Sequence, residues 1–371
     1  MTKVCILGGG FAGCSAAHLL KKKYPNWEIT IIEASNELGA GVRTRWYGGH
    51  PYTFGPRHFL TPYNDVYEYL DELLPLRELE HEFYSYIEED KKFYSFPISY
   101  EDINTMPDKD KILSELDSLD ENSQPNNLEE YWLMSAGETL YNKFSRDYNK
   151  KMWMIDCNKE IDADIPDWTS KGKFIYEKRG EMFHDKRSAF PLHHDGYNLY
   201  FDEISIKDVN VFLNKKVKNV DFKSKEINCD DNSKIKYDLL INTLSVDLID
   251  KYRFGELRYV GLDFIPIVLP MKECLPGNTF FLYYSGKEKH KRIVEYKKFY
   301  RYEAEDTLIG LEIPSMNGKH YALPIKSQQD LHKKYVDSQG KDVYNIGRFG
   351  SYRYIDIDDC ILQSMNLVEK L

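Results

Sequence analysis

The stretch KVCILGGGFAGCSAAHLLKKKYPNWEITIIE, residues 3–33, decides the fold of this chain. Its apolar run at residues 4–7 predicts a strand that is buried on both faces, as in a parallel sheet. Residues 12–24 have the apolar spacing of a helix, and residues 27–32 form a second apolar strand. A strand, a helix and a strand in this order predict a βαβ unit at the start of the chain.

Three glycines and one acid in this unit have the positions that a bound dinucleotide requires. Gly8 allows the tight turn after the strand, Gly10 lets the backbone approach a pyrophosphate, and Gly13 lets the helix pack on the strand. Glu33 ends the second strand, where its carboxylate can accept a hydrogen bond from a ribose 2′-hydroxyl. An acid at this position argues against NADP and fits either FAD or NAD.

A loop of small residues follows the unit at residues 38–44 and contains a cation. We expect it to pass close to the second half of an extended dinucleotide, where Gly41 leaves room and Arg43 meets the phosphates. Such a loop suits a flavin enzyme better than an NAD dehydrogenase, so these residues favour FAD and leave NAD open.

The composition argues against several classes of protein. The 371 residues suggest two or three domains, and the net charge of −10 includes no basic stripe that would bind nucleic acid. Six scattered cysteines without a C-x-x-C pair are typical of a reducing cytoplasm. No apolar run approaches the roughly 18 residues of a membrane span, so we expect a cytoplasmic protein without membrane insertion.

The remaining chain predicts two further structural units. Helical patterns run from residue 100 to about residue 153, and four alternating segments suit one antiparallel sheet, at residues 265–271, 279–284, 292–296 and 307–313. Residues 234–242 indicate one strand that returns to the dinucleotide sheet. The predicted fold class is α/β, with a discontinuous Rossmann-like FAD-binding domain, an inserted helical subdomain and an antiparallel β-sheet domain.

The expected domain boundaries follow from these patterns. The FAD-binding domain comprises residues 1–62, 196–256 and 335–371, the helical subdomain residues 100–155, and the sheet and substrate domain residues 63–99, 156–195 and 257–334, with a mobile lid near 153–178. His193, His194 and Asp195 have metal-ligating side chains, but two adjacent histidines do not face one site on a strand or helix. We therefore expect a loop there and no metal.

Several longer patterns are specific enough to indicate a family. Beyond the glycine fingerprint they comprise the turn at residues 54–61, the segment 94–98, a helix with Gly137, Leu140, Tyr141, Phe144, Tyr148, Lys151 and Trp153, the segment 291–297, and GRFGSYRYID at residues 347–356. On these residues the chain resembles the UDP-galactopyranose mutase family, nearly from end to end.

The resemblance implies an isomerase, an intramolecular transferase that uses reduced FAD without net redox change. In that family flavin N5 attacks the anomeric carbon of a nucleotide-diphospho-sugar, and an iminium lets the pyranose ring open and close again as a furanose. The implied substrate is UDP-galactose or a similar compound, and the furanose supplies surface polysaccharide synthesis. The resemblance also implies an external electron donor that reduces FAD, and a homodimer.

The matched motifs further imply site residues. The catalytic set is Arg292, Arg348, Tyr354, Asp356, His58 and Arg57, in which Arg292 and Arg348 clamp the diphosphate because a guanidinium binds phosphate bidentately. The substrate set is Phe144, Tyr148, Trp153, Lys171, Lys173, Tyr197 and Tyr321. The cofactor set is Gly8, Gly10, Phe11, Ala12, Gly13, Glu33, Ala34, Gly41, Arg43, Val217, Gly347, Arg348 and Asp356. Asp356 also directly precedes the last predicted helix, which it can cap.

The chain departs from the family pattern near the sugar. Arg57 stands where the family has a histidine, and a cation beside the flavin would favour its anionic reduced form. Lys171 or Lys173 takes the place of a lid arginine. The sugar and base therefore stay open, and a deoxy sugar, a heptose or another base is the alternative within the family. An amine-oxidase-type flavin oxidoreductase and a non-catalytic flavin-binding protein are the alternatives outside it.

Overall fold

The computed structural model describes residues 1–119, 124–163, 175–179 and 186–371. Lys171, Lys173 and much of the expected lid lie outside these ranges. Within the described ranges, no helix has both the length and the apolar character needed to cross a membrane.

The described strands are short, apart from two long ones in the larger sheet. In chain order they are β1 (Lys3–Leu7), β2 (Glu28–Ile32), β3 (Arg45–Tyr47), β4 (His50–Tyr52), β5 (Phe59–Thr61), β6 (Leu76–Glu78), β7 (Glu82–Ile87), β8 (Lys92–Ser95), β9 (Ile98–Ser99), β10 (Ile175–Tyr176), β11 (Arg187–Pro191), β12 (Asn210–Phe212), β13 (Val217–Asp221), β14 (Glu226–Cys229), β15 (Lys234–Lys236), β16 (Leu239–Asn242), β17 (Tyr259–Leu269), β18 (Thr279–Tyr284), β19 (Arg292–Glu295), β20 (Thr307–Ser315), β21 (Tyr321–Ala322) and β22 (Val343–Asn345).

The described α-helices alternate with these strands at both ends of the chain and follow one another in the middle. In chain order they are α1 (Phe11–Lys23), α2 (Asn64–Leu73), α3 (Tyr100–Ile103), α4 (Lys109–Asp117), α5 (Leu128–Leu140), α6 (Arg146–Trp153), α7 (Val246–Ile249), α8 (Lys297–Tyr300), α9 (Lys326–Asp337), α10 (Gly347–Gly350) and α11 (Ile357–Lys370). Single turns of 3-10 or π-helix lie at Ala40–Val42, Tyr141–Ser145, Asn158–Glu160 and Tyr200–Ile204.

A five-stranded parallel sheet in the order β12-β2-β1-β16-β22 carries the N-terminal unit. The central strand β1 pairs with β2 on one side and with β16 on the other. All three strands are apolar and buried over most of their length, as expected of a sheet covered on both faces. This sheet confirms the predicted α/β fold with a Rossmann-like unit.

The prediction of one strand over residues 234–242 is wrong. β15 pairs antiparallel with β14, where Lys234 Nζ lies 2.7 Å from Glu226 Oε1, and only β16 joins the parallel sheet. The two halves differ in polarity, because β15 is mostly exposed whereas β16 is mostly buried. The polar residues therefore stay at the surface in a separate small sheet.

A seven-stranded sheet in the order β21-β17-β20-β19-β18-β7-β8 contains the segments that were predicted to form one antiparallel sheet. The four predicted segments pair antiparallel with one another, as predicted, whereas β18 also pairs parallel with β7, which lies outside those segments. These two strands come from distant parts of the chain, and no tight hairpin forces them to be antiparallel.

The helical segment between β9 and β10 bends sharply at Gly137. This residue has φ +78°, where glycine is favoured, and it separates two helical runs within α5. The bend frees backbone groups, and Glu115 accepts hydrogen bonds from Thr139 N and Oγ1 at 2.8 Å each. A carboxylate thus caps the second run.

The last helix packs against the first. Ser364 Oγ on α11 donates to Ala12 O at 2.9 Å, and Lys23 Nζ on α1 donates to Val368 O at 2.7 Å. A Cβ on Gly347 would come within 2.9 Å of Ala12 Cβ, so α10 also closely approaches the start of α1. The turn after β1 is therefore enclosed by segments from distant parts of the chain.

Candidate active site

The turn after β1 leaves room beside the N-terminus of α1. Gly8 has φ +97°, and a Cβ on Gly13 would lie 2.1 Å from Gly8 O, so both positions need glycine. At Gly10, by contrast, the nearest described atom to an added Cβ would be Ala40 Cβ at 4.0 Å. Gly10 caps α1 without a side-chain hydrogen bond, so the first N–H groups of the helix face a space that suits a pyrophosphate.

Glu33 lies at the end of β2 beside this turn. Its Oε2 accepts a hydrogen bond from Gly9 N at 2.8 Å and its Oε1 accepts one from Ser35 N at 2.8 Å. A carboxylate offers about four lone-pair sites, so Glu33 can still accept from a ribose hydroxyl. Val217 begins β13, two residues after Lys215, whose backbone N–H donates to Glu33 O at 2.9 Å.

Four more predicted cofactor residues lie around the turn. Phe11 and Ala12 begin α1, and the Phe11 ring packs 5.2 Å from that of Tyr200. Ala34 is exposed, two residues after the end of β2. Gly347 begins α10 with φ +74°, a conformation that favours glycine.

Arg43 lies on the loop that contacts the turn, since Gly39 N donates to Gly9 O at 2.8 Å and Arg43 Nη1 donates to Leu38 O at 3.3 Å. Its guanidinium donates to both carboxylate oxygens of Asp202 at 2.8 Å and lies 3.0 Å from Glu37. Its contact with phosphates stays a prediction. Gly41 does lie beside a cation, because a Cβ there would be 3.7 Å from Arg57 Nη2.

Three residues that lie opposite one another on neighbouring strands of the seven-stranded sheet, here called the sheet row, form the base of a charged pocket. The strand register places Arg292 on β19 opposite Glu312 on β20 and Tyr283 on β18. Arg292 Nε and Nη2 donate to Glu312 Oε2 at 3.1 and 2.8 Å, and Lys291 Nζ lies 3.4 Å from the same oxygen. Burial alone would raise the pKa of Glu312, but Arg292 and Lys291 outweigh burial and lower it.

Arg348 enters the same pocket from α10. Its Nε and Nη2 donate to Ile355 O at 3.0 and 2.7 Å. The guanidinium carbon lies 5.4 Å from the ring centre of Tyr321 and 5.6 Å from that of Tyr354. Arg292 and Arg348 both influence the ionisation of Tyr321, so the two predicted arginines lie around one phenol.

Arg57 adds a third guanidinium to the pocket. Its Nη2 lies 3.4 Å from His320 Nε2, and its Nε is buried without a hydrogen-bond partner among the described residues. Burial and the charge of Arg348 lower the pKa of Arg57. Burial, Arg57 and Arg348 also lower the pKa of His320 well below its usual range, so this imidazole is neutral.

We call Arg57, Lys291, Arg292 and Arg348 the cationic pocket. In the described part of the chain the fully buried carboxylate in contact with them is Glu312, and its Oε1 has no hydrogen-bond partner there. Burying charges without compensation is costly. The pocket therefore holds an excess of positive charge and suits an anion of the phosphate class.

Aromatic side chains form one wall of the cationic pocket. The Tyr354 ring lies 5.6 Å from that of Trp153 and 5.4 Å from that of Tyr321. Trp153 ends α6, and Tyr321 begins β21. These three predicted site residues are thus brought together from distant parts of the chain.

Tyr148 and Phe144 are the other two predicted residues of this helical segment, and Tyr148 is half-buried whereas Phe144 is buried. The Tyr148 ring on α6 lies 5.8 Å from the ring of Tyr283, which belongs to the same sheet row as Arg292. Phe144 is only 2% exposed, and its ring stacks 6.4 Å from that of Phe96. Phe144 therefore packs in the core of the helical segment.

Two predicted residues lie behind the pocket. The His58 ring packs 5.9 Å from that of Phe281, and burial together with Arg292 and Arg57 lowers the pKa of His58 to about 3, which keeps it neutral. Tyr197 is fully buried, and its hydroxyl donates to Arg57 O at 2.9 Å. The structure therefore does not bring Tyr197 to the pocket surface, and its hydroxyl supports the turn that carries Arg57.

Asp356 has a structural position at the edge of the pocket. It occupies the N-cap position of α11 and forms a capping box with Asp359, as predicted for a capping residue. Its Oδ1 lies 3.4 Å from Arg348 Nη2, and its side chain is 67% exposed.

The side chains of His193, His194 and Asp195 lie closer together than expected, with their ligand atoms within 4.8 Å of one another. His194 Nε2 lies 3.1 Å from Asp195 Oδ2, and Asp195 N donates to His193 Nδ1 at 3.3 Å. These atoms thus already have polar partners within the group.

Sequence analysis missed Lys291 in the cationic pocket and two residues in contact with it, Glu312 and His320. Glu312 could have been noticed as an acid within the alternating apolar run of β20. Lys291 and His320 each directly precede a predicted site residue, and nothing local distinguishes them from surface residues.

Comparison with known proteins gives consistent matches over the chain. The family model for UDP-galactopyranose mutase matches residues 143–354, and that for an NAD(P)-binding Rossmann-like domain matches residues 6–73. The chain is 26% identical to a dTDP-fucopyranose mutase of Escherichia coli, over 100% of this chain and 98% of the relative. It is 22% identical to a "Probable UDP-galactopyranose mutase" of Klebsiella pneumoniae, over 99% of this chain and 94% of the relative.

The fold is also similar to a solved structure. The crystal structure of reduced UDP-galactopyranose mutase superposes with a TM-score of 0.83, covering 100% of this chain and 95% of the other at 18% identity. At 18% sequence identity, this structural similarity establishes the shared fold and nothing further.

Proposed function

This chain belongs to the UDP-galactopyranose mutase family, a family of isomerases, and we propose that it interconverts the pyranose and furanose forms of a nucleotide-diphospho-sugar with reduced FAD as its cofactor. The furanose would supply surface polysaccharide synthesis. An external electron donor, a homodimer and a cytoplasmic location are parts of the same proposal.

The observation that carries the proposal is the unbalanced charge of the cationic pocket. Arg57, Arg292 and Arg348 come from three separate elements and lie around one buried phenol, Tyr321. Glu312 contacts Arg292 and Lys291, whereas Arg57 Nε has no hydrogen-bond partner among the described residues. A diphosphate supplies the missing negative charge, and guanidiniums bind it bidentately.

The residues of the glycine turn fit FAD. Gly10 and the start of α1 would hold the pyrophosphate, and Glu33 would bind the ribose of the adenosine half. When bound, reduced FAD supplies the nucleophilic N5 atom, and the covalent route expected from the resemblance remains part of the proposal. The chain itself binds the diphosphate and holds it while the sugar ring changes size.

A dTDP-deoxy sugar and UDP-galactose are the first substrates to test. One relative is described as acting on dTDP-fucopyranose and the other on UDP-galactopyranose. Their identities to this chain are 26% and 22%, too similar to separate the two substrates.

The experiment is to incubate dithionite-reduced protein with both nucleotide-pyranoses and to score furanose products by NMR. We expect conversion of one of them with reduced flavin only. The oxidised enzyme is the matched control, and equal conversion with oxidised flavin would exclude a role for reduced N5. No furanose from any nucleotide sugar, together with no nucleotide binding, would refute the proposal.

An amine-oxidase-type reaction is the competing function. A pocket lined by Arg57, Arg292 and Arg348 repels a cationic amine, so the charge of the site argues against it. Net flavin reduction by an amine, in the absence of nucleotide sugar, would favour this alternative.

A further inference from the structure

Tyr321 is bound directly to a buried ammonium group. Lys291 Nζ donates to the Tyr321 hydroxyl at 2.8 Å, and the same nitrogen lies 4.5 Å from the centre of the Tyr321 ring. Lys291 is 1% exposed and Tyr321 is 4% exposed. A phenol whose oxygen accepts a hydrogen bond from a buried cation is favoured in its ionised form.

Charged groups from every neighbouring element face this phenol. Arg292 begins β19 and Lys291 directly precedes it, Arg348 comes from α10 and Arg57 from the turn before β5, and all four are cations. Glu312 on β20 is the anion, lying 3.4 Å from Lys291 Nζ. The other titratable neighbours are the neutral His320 and the phenols Tyr354 and Tyr148.

We propose that Tyr321 is the proton-exchanging group of the cationic pocket, more readily ionised when the pocket holds no phosphate than when a nucleoside diphosphate is bound. This inference rests on the proposed function, because it requires the pocket to bind the diphosphate. Lys291 acts through Tyr321 and is a positioning residue.

The direction of proton movement follows from electrostatics. Without a bound anion, a tyrosinate at Tyr321 partly neutralises the four cations. A diphosphate takes over that role, and its negative charge repels the tyrosinate, so the phenol oxygen takes up a proton from solvent. No covalent or redox step is involved, and the proton returns to solvent when the nucleotide leaves.

The other tyrosines of the pocket lack this property. Burial would raise the pKa of Tyr321, but Lys291, Arg292 and Arg348 outweigh it and lower the pKa. Burial raises the pKa of Tyr148, Tyr283 and Tyr354, so these phenols stay protonated in both states. Tyr354 is thus a natural control, since its ring lies 5.4 Å from that of Tyr321.

The inference predicts how nucleotide affinity depends on pH. Binding that takes up a proton weakens as the pH rises through the pKa of Tyr321 in the free protein, by at most about tenfold per pH unit. The terminal phosphate has a second pKa of about 6, so above about pH 8 it does not contribute to this slope.

The test is calorimetric titration of the holoenzyme with UDP and with dTDP near pH 8.5, in two buffers of different ionisation enthalpy. We expect an uptake of up to about one proton per nucleotide bound, which appears as a heat that depends on the buffer. Nucleotide binding without proton uptake, repeated at higher pH, would overturn the inference and leave the proposed function standing. Failure of both nucleotides to bind would overturn both.

Four variants assign the proton to one residue. Tyr321→Phe is expected to bind nucleotide without proton uptake and with a flat pH profile, whereas Tyr354→Phe keeps the uptake. Lys291→Met is expected to lose the uptake, because an ordinary phenol stays protonated near pH 8.5, and Lys291→Arg is expected to retain it. Proton uptake that persists in Tyr321→Phe would assign the exchange to another group and refute the inference.

Discussion

The glycine turn and the cationic pocket show two ways in which this chain builds a binding site. The turn is encoded within residues 3–33, and its main features are backbone features, namely the φ of Gly8 and the open space at Gly10. The pocket is assembled from Arg57, Lys291, Arg292 and Arg348, which meet only when the larger sheet and α10 are in place. The first site depends on local geometry, and the second on tertiary packing.

The largest expected effect tests the glycine turn, the site that depends on backbone geometry. Gly10 has φ −80°, which alanine also adopts, and an added Cβ meets Ala40 Cβ only at 4.0 Å. We expect Gly10→Ala to fold, with a free energy of unfolding of the apoprotein within about 0.5 kcal/mol of the original, and to lose most of its flavin. The absorbance spectrum of the purified protein measures flavin content. Gly340→Ala is the control, and full flavin retention in Gly10→Ala would show that the turn does not hold the cofactor.

The next effect tests the side-chain site. We expect Arg348→Ala to lower kcat by about 10²–10³ because one rigid phosphate donor is lost, and Arg348→Lys to recover only part of it. Turnover of nucleotide sugar by the reduced enzyme measures both. The exposed Arg353, five residues further on, provides Arg353→Ala as the control. Equal losses of kcat in Arg348→Ala and Arg353→Ala would show that the pocket takes no part in the reaction.

A smaller effect concerns stability behind the pocket. The pKa of His58 is lowered to about 3, so the unfolded chain binds a proton that the folded chain excludes between about pH 6.5 and pH 3. His58 therefore costs stability as the pH falls through this range, by up to about 1.4 kcal/mol per pH unit. We expect the free energy of unfolding of His58→Phe, measured by denaturant unfolding, to decline less steeply as the pH falls from about 6.5 to about 4. The exposed His194→Phe should keep the original slope, and an unchanged slope in His58→Phe would contradict a neutral His58.

The smallest expected effect distinguishes two roles of Asp356, the capping of α11 and a direct part in the reaction. As the N-cap of α11, it should tolerate asparagine, whereas Asp356→Ala is expected to lose about 1 kcal/mol in free energy of unfolding. The Asp356 side chain is 67% exposed, so its contact with Arg348 is worth at most about 1 kcal/mol. We therefore expect Asp356→Asn to lower kcat/KM by less than about tenfold. A larger loss in a fully stable Asp356→Asn would give this carboxylate a direct part in the reaction.

The comparison also explains what could be predicted from the sequence. β1, α1 and β2 were predicted to within about two residues, because their apolar periodicity and glycine spacing are local signals. The arginines Arg292 and Arg348 were named through motif likeness, and their position around one phenol was not a property of either segment alone.

The residues that escaped prediction depend on contacts between distant segments. Glu312 faces Arg292 because β19 and β20 pair in one particular register, which no local pattern fixes. The parallel pairing of β7 with β18 depends in the same way on the path of the chain. Arg43 was expected at the phosphates, and the carboxylate that binds it, Asp202, lies far away in sequence.

The contact between the first and last helices has a consequence for how the protein acquires its flavin. Ser364 and Gly347 help to enclose the start of α1, so this enclosure is missing from a growing polypeptide until residues 347–364 have left the ribosome. We expect stable FAD binding only after these residues have packed against α1. Removing α11 should then yield a colourless protein although residues 3–33 remain intact.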